Sequence, residues 1–111
     1  MDIDVTQASG VTVVAPRGDL DMATVAEVRR TLAGLIDGWQ SRVLMDLGGV
    51  GYVDSSGLGA MVAAMKRARA AGGDVRLRAL QDDVRGIFEL TRFARVMSIH
   101  PTRQEALASW R

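Results

Sequence analysis

The sequence predicts an α/β domain: a mixed, mostly parallel five-stranded sheet with element order ββαβαβαβα and about four helices. Three observations carry this. Short β-prone apolar runs recur at residues 11–15, 43–47 and 75–79. Between them the apolar spacing switches to that of a helix, as in Val25, Val28, Leu32, Leu35 and Ile36. Strands alternating with helices imply parallel pairing through right-handed crossovers. Because each crossover is short, the strands are expected side by side in chain order, with the first antiparallel at one edge.

Residues 3–7 and 11–15 read as a hairpin around Ala8-Ser9-Gly10. Pro16 has no N–H to donate and is expected to end the second strand's ladder. Asp21 is the expected N-cap of the first helix, and Gly38 its stop. The strand at 43–47 leads to a helix that begins at Ser55 or Ser56, carries Leu58, Met61, Val62 and Met65 on its apolar face, and ends at Gly72-Gly73. After the strand at 75–79, residues 82–90 form a short helix with Val84, Ile87 and Phe88 turned inwards. Asp82 and Asp83 suit the positive end of its dipole, whereas Gly86 weakens it by about 1 kcal/mol relative to Ala. Residues 95–99 are expected as the last strand. Thr102-Arg103-Gln104-Glu105 then spells a capping box that opens a terminal helix carrying Leu107. Met61 and Met65 are core at helical spacing. Arg67 and Arg69 form a solvated face, and Trp39 and Trp110 are expected as hydrophobic anchors beneath the sheet.

With 111 residues the chain is expected to be a single domain, 1–111, with one core. Fourteen basic residues against thirteen acidic ones leave a net charge of +1, which gives no general pull towards nucleic acid or membrane. There is no cysteine, so disulfides and thiolate metal sites are excluded. The acidic start, Met1-Asp2-Ile3-Asp4, does not read as a signal peptide. The longest apolar run, residues 57–65, falls far short of the roughly 20 residues of a membrane span. A soluble, cytoplasmic protein is the expectation.

Catalytic motifs fail one by one. A nucleophile elbow needs Gly two before and two after the serine, but Ser55 has Val53 and Gly57 there, and Ser56 has Asp54 and Leu58. His100 is the sole histidine. No Lys follows the glycines of residues 48–59 as a phosphate loop requires, and Gly49-Val50-Gly51 is followed at the third fingerprint position by Asp54. Asp19, Asp21, Asp46 and Asp54 show no metal-ligand spacing. No catalytic residue, cofactor or metal is expected. What remains is a strand-to-helix junction where two hydroxyls and a carboxylate meet free N–H groups and the positive end of a helix dipole. A serine there either caps the helix or presents its hydroxyl for modification; composition and spacing leave both open.

The junction itself, Asp54-Ser55-Ser56-Gly57-Leu58-Gly59, resembles the signature of the STAS domains, and among them the small free-standing bacterial anti-sigma-factor antagonists. Gly18-Asp19-Leu20-Asp21 followed by Thr24 is similar to a second signature. Leu90-Thr91-Arg92-Phe93 is similar to a third, usually Leu-Thr-Gly-Leu, so Arg92 stands in place of glycine and Phe93 in place of leucine. The resemblance runs from about Val11 to Leu107. It implies that Ser55, directly after the Asp, is the phosphorylated residue and that Ser56 is the structural serine that caps the helix. It places Asp21 beside them, and the partner surface on Asp21, Asp54, Ser55, Ser56, Gly57 and Leu58. The implied partners are an anti-sigma factor with serine-protein kinase activity and a protein phosphatase, with no direct contact to nucleic acid. The same fold also serves as a STAS subunit of stress-signalling or phospholipid-transport complexes. From another class, a small-ligand or nucleotide-binding domain is the alternative.

Overall fold

The computed structural model describes residues 1–110. Its strands are β1 (Asp2–Ala8), β2 (Val11–Arg17), β3 (Arg42–Asp46), β4 (Asp74–Arg78) and β5 (Ile99–His100). The helices are α1 (Val25–Asp37), α2 (Ser55–Ala70), α3 (Asp82–Leu90) and α4 (Arg103–Ala108). The sheet order is β1-β2-β3-β4-β5, with β1 antiparallel to β2 and every other pair parallel. This is the expected topology.

Side-chain alternation along the strands builds two layers. Val14, Val43, Met45, Val75 and Leu77 face α1, α2 and α3, where they meet Leu32, Met61, Met65 and Phe88. Val11, Val13 and Leu44 face the other way, against Ala106 of α4, with Leu107 and Trp110 at the margin. The central strands are therefore covered on both faces, which explains why they read as unbroken apolar runs. The methionines are core as expected, and Trp110 packs on the α4 side with the Arg76 guanidinium 4.2 Å from its ring centre.

Several local expectations are corrected. The hairpin lies where expected, but Ala8 belongs to β1 and pairs with Val11, so only Ser9 and Gly10 turn, both at positive φ (54° and 77°), the geometry of a tight two-residue loop. Pro16 does not end β2: it stays in register opposite Ile3, on the strand flanked by β1, and β2 runs on to Arg17. The last strand is two residues, Ile99 and His100, because residues 93–95 are taken up by a 3-10 turn. Thr102 Oγ1 accepts from Glu105 N–H at 3.1 Å, which forms that half of the capping box.

Trp39 is the largest departure. Gly38 ends α1 at an ordinary φ of −85°, and the left-handed step falls one residue later, on Trp39 at +72°. Trp39 N–H donates to the Ile36 carbonyl and Gln40 N–H to the Leu35 carbonyl, closing the helix end. Gln40, not Trp39, then turns towards the sheet, where its side-chain oxygen accepts from Gln7 and Thr12 at 2.7 and 2.8 Å. Trp39 is left 96% exposed.

The arginines of α2 are paired rather than merely solvated. Arg67 contacts Asp37 at the end of α1, and this hydrogen bond and charge push its pKa further up. Arg69 contacts Asp74 at 2.9 Å, and the same carboxylate accepts from Arg76 at 3.0 Å.

Candidate functional site

The junction between β3 and α2 is built by a second, shorter stretch of chain beside it. Leaving β2, residues 18–21 run parallel to residues 49–54. Gly18 N–H donates to the Gly49 carbonyl at 3.0 Å, Leu20 N–H to Tyr52 at 2.9 Å, and Asp54 N–H returns to Leu20 at 3.0 Å. Leu20 and Val53 form a parallel bridge and both are buried. The next residues on each strand of this ribbon, Asp21 and Asp54, are thereby set side by side at one end of the sheet.

Asp54 is the N-cap of α2. Its backbone is extended and its carboxylate accepts the Gly57 N–H at 3.0 Å. This corrects the expectation that Ser56 caps the helix: a carboxylate one position earlier takes the bond. The Leu58 N–H is satisfied by the Asp54 carbonyl. The N–H groups of Ser55 and Ser56 are left with no acceptor among the described residues, as are both serine hydroxyls. Ser55 is exposed and Ser56 half-buried.

Gly57 shows why this turn tolerates no side chain at its inner face. A Cβ there would stand 2.7 Å from the Leu20 carbonyl oxygen and 3.0 Å from Val53 Cγ1. Gly57 and Leu58 are buried, Leu58 within the main core. Of the six residues expected on a partner surface, these two are therefore buried, and the accessible ones are Asp21, Asp54, Ser55 and Ser56.

Asp21 is also relocated within its helix start. It does not cap α1, which begins at Val25 with Thr24 as its boundary residue. Its carboxylate accepts from Ala23 N–H at 2.9 Å and its carbonyl from Thr24 and Val25 N–H. The Thr24 hydroxyl donates to the Asp19 carbonyl at 2.7 Å. Asp21 thus organises a turn one step before the helix and remains half-exposed beside the serines. Asp46 takes no part, since it accepts from Arg78 at 2.6 Å and from Gly48 N–H. No cluster of three metal-ligating side chains occurs among the described residues.

Two apolar residues at this end were not singled out from sequence. Met22 is 81% exposed directly after Asp21, and Tyr52 is 50% exposed two residues before Asp54. The signal was available: Met22 lies outside the apolar spacing of α1, and Tyr52 sits in a glycine-rich stretch that no helix or strand face claims. Arg29 of α1 reaches the first turns of α2, its guanidinium 4.0 Å from where a Cβ on Gly59 would be.

A family model described as the STAS domain matches residues 2–106. The chain belongs to the STAS domain family. The match begins well before Val11 and takes in this chain's β1. Among curated relatives, BtrV of Bordetella bronchiseptica, named as a candidate anti-sigma factor antagonist, is 26% identical over the whole chain and 96% of its own length. Among solved structures, an anti-sigma-factor antagonist (STAS) domain protein of Planctomyces limnophilus is 28% identical. It superposes with a TM-score of 0.86 over 98% of this chain and 97% of its own. The Bacillus cell fate determinant SpoIIAA in its phosphorylated form shares the fold, with a TM-score of 0.75 at 20% identity, over 99% of this chain and all of its own. No helix among the described residues is long and apolar enough to cross a membrane.

Proposed function

We propose that this STAS domain is an anti-sigma-factor antagonist. In the unphosphorylated form it binds an anti-sigma factor that is also a serine-protein kinase, and so frees the sigma factor; phosphorylation of Ser55 ends the binding, and a protein phosphatase restores it. The observation that carries this reading is the Ser55 hydroxyl: exposed, without a hydrogen-bond partner among the described residues, and mounted at the start of α2, where the paired stretches 18–21 and 49–54 bring Asp21 and Asp54 together. The names of the relatives in which the whole chain finds a match support it.

The switch follows from charge. A phosphoserine carries about −1.5 to −2 charges near neutral pH. The domain itself tolerates that group, because the Ser55 and Ser56 N–H groups and the helix dipole face it. A partner surface shaped around a neutral hydroxyl does not. It would have to bury the phosphate beside Asp21 and Asp54, at a cost of about 3 kcal/mol or more. That is over a hundredfold in affinity. Met22 and Tyr52 supply apolar contact that does not depend on the phosphorylation state, so the serine decides the outcome while its neighbours provide the adhesion.

The test is titration calorimetry with the cognate anti-sigma factor. Ser55→Ala should bind as wild type does, and Ser55→Asp at least tenfold more weakly. Equal binding of Ser55→Asp and wild type would sink the proposal. Mass spectrometry after incubation with the kinase and ATP should place the added phosphate on the peptide containing Ser55, and Ser55→Ala should gain none.

A further inference from the structure

At the end of β3 opposite Ser55, Trp39 stands where the chain needs a left-handed step to close α1 but has no use for a large side chain. Its backbone is left-handed, at φ +72°, where a residue with a Cβ is disfavoured. Its side chain, the largest apolar one available, is 96% exposed. Its own side chain is one wall of an open hollow of about 320 Å³ between the C-terminal ends of α1 and α2, lined also by Ile36, Ala70, Ala71 and the Asp37–Arg67 pair. A protruding indole thus adjoins a largely apolar depression on a single face.

We propose that this face is a contact between two copies of this chain, related by a two-fold axis, with the Trp39 of each copy seated in the hollow of the other. The juxtaposition is self-complementary, which is what a two-fold contact requires. Asp37 and Arg67 already neutralise each other within each copy, so the rim presents no like charges to a second one, and the remaining lone pairs of the Asp37 carboxylate offer an acceptor for the incoming indole N–H. With a net charge of +1 the two copies do not repel each other strongly. Two indoles with the surface that receives them bury about 600–1,000 Å² in total, the scale of a weak, transient contact. Because β3 separates Trp39 from Ser55, the contact leaves the serine end free in both copies.

Sedimentation velocity on the full chain, from low micromolar to near-millimolar concentration, reads the association directly. The average mass of the wild type should rise from 11.9 kDa towards twice that value. Trp39→Gly removes the projecting group and suits the left-handed backbone; Ala70→Trp plugs the hollow and leaves Trp39 in place. Each should weaken association at least about tenfold, as loss of a central aromatic anchor does. In a Trp110→Phe background, the fluorescence of Trp39 should move to the blue and resist acrylamide as concentration rises. A wild type that stays monomeric with Trp39 fully quenchable overturns the proposal, and so does association that both variants leave intact. Protection of Trp39 that appears only when another protein is added assigns the face to that protein and equally overturns it.

Discussion

At the scale of single residues, Asp54 and Gly57 do the positioning that Ser55 exploits. Asp54→Ala removes the acceptor of the Gly57 N–H and should cost about 1 kcal/mol, read as a lowered urea midpoint with an unchanged slope. Gly57→Ala should cost more, about 1–3 kcal/mol, because its methyl group would meet the Leu20 carbonyl and Val53 at overpacked distances. Arg92 gives the opposite sign. Its backbone sits at φ +65°, where its family's usual glycine would be free of strain. Arg92→Gly should therefore stabilise the domain by about 0.5–1 kcal/mol in the same denaturation experiment. That position was legible in the sequence through the resemblance, and the start of α2 at Ser55 was legible from the change of apolar period after Ser56. The cap was not: Asp and Ser both cap helices well, and three candidates in a row cannot be ordered without knowing where the first helical residue falls. Trp39 was misread for a related reason. An aromatic residue ordinarily belongs inside, and only the backbone angle reveals that the chain turns it outwards.

At the scale of elements, sequence reading succeeded where a long periodic segment meets a strong terminator and failed where either is short. The apolar faces of α1, α2 and α3 were read from spacing alone. The two-residue β5 was not, since no alternation can be recognised over two positions, and the preceding 3-10 turn occupies residues assigned to it. α4 is only six residues long, so it depends on its cap and its docking rather than on intrinsic propensity. Thr102→Ala should accordingly cost about 1 kcal/mol, and its effect should be concentrated in α4: faster amide exchange there, with β3 unaffected. The carboxylate of Asp74, shared by Arg69 of α2 and Arg76 of β4, ties a helix to the sheet. Arg76 continues to Trp110 and the Ser109 hydroxyl beyond α4, so this one acid anchors contacts on both faces.

Taken whole, the molecule is a sheet whose middle is doubly covered and whose edges are thin. Val43, Leu44 and Met45 of β3 and Val75 and Leu77 of β4 are almost wholly inaccessible, whereas β5 and α4 are short. Native-state hydrogen exchange should rank β3 and β4 near the free energy of global unfolding, with α4 and β5 opening well below it. The same architecture predicts the response to modification. Phosphorylation of Ser55 should perturb backbone chemical shifts around residues 20–24 and 52–60 and leave those of β4, α3 and α4 in place. Shifts spread across the sheet would show instead that the phosphate acts by rearranging the fold.

The ribbon of hydrogen bonds joining residues 18–20 to residues 49–54 has a consequence for timing. Ser55 stands on a rigid mount rather than on a hinged loop, so changing the group on its oxygen leaves nothing to relax afterwards. Under the function proposed above, such a device would keep no memory of its previous state, and its tempo would be set wholly by the enzymes that write and erase the mark.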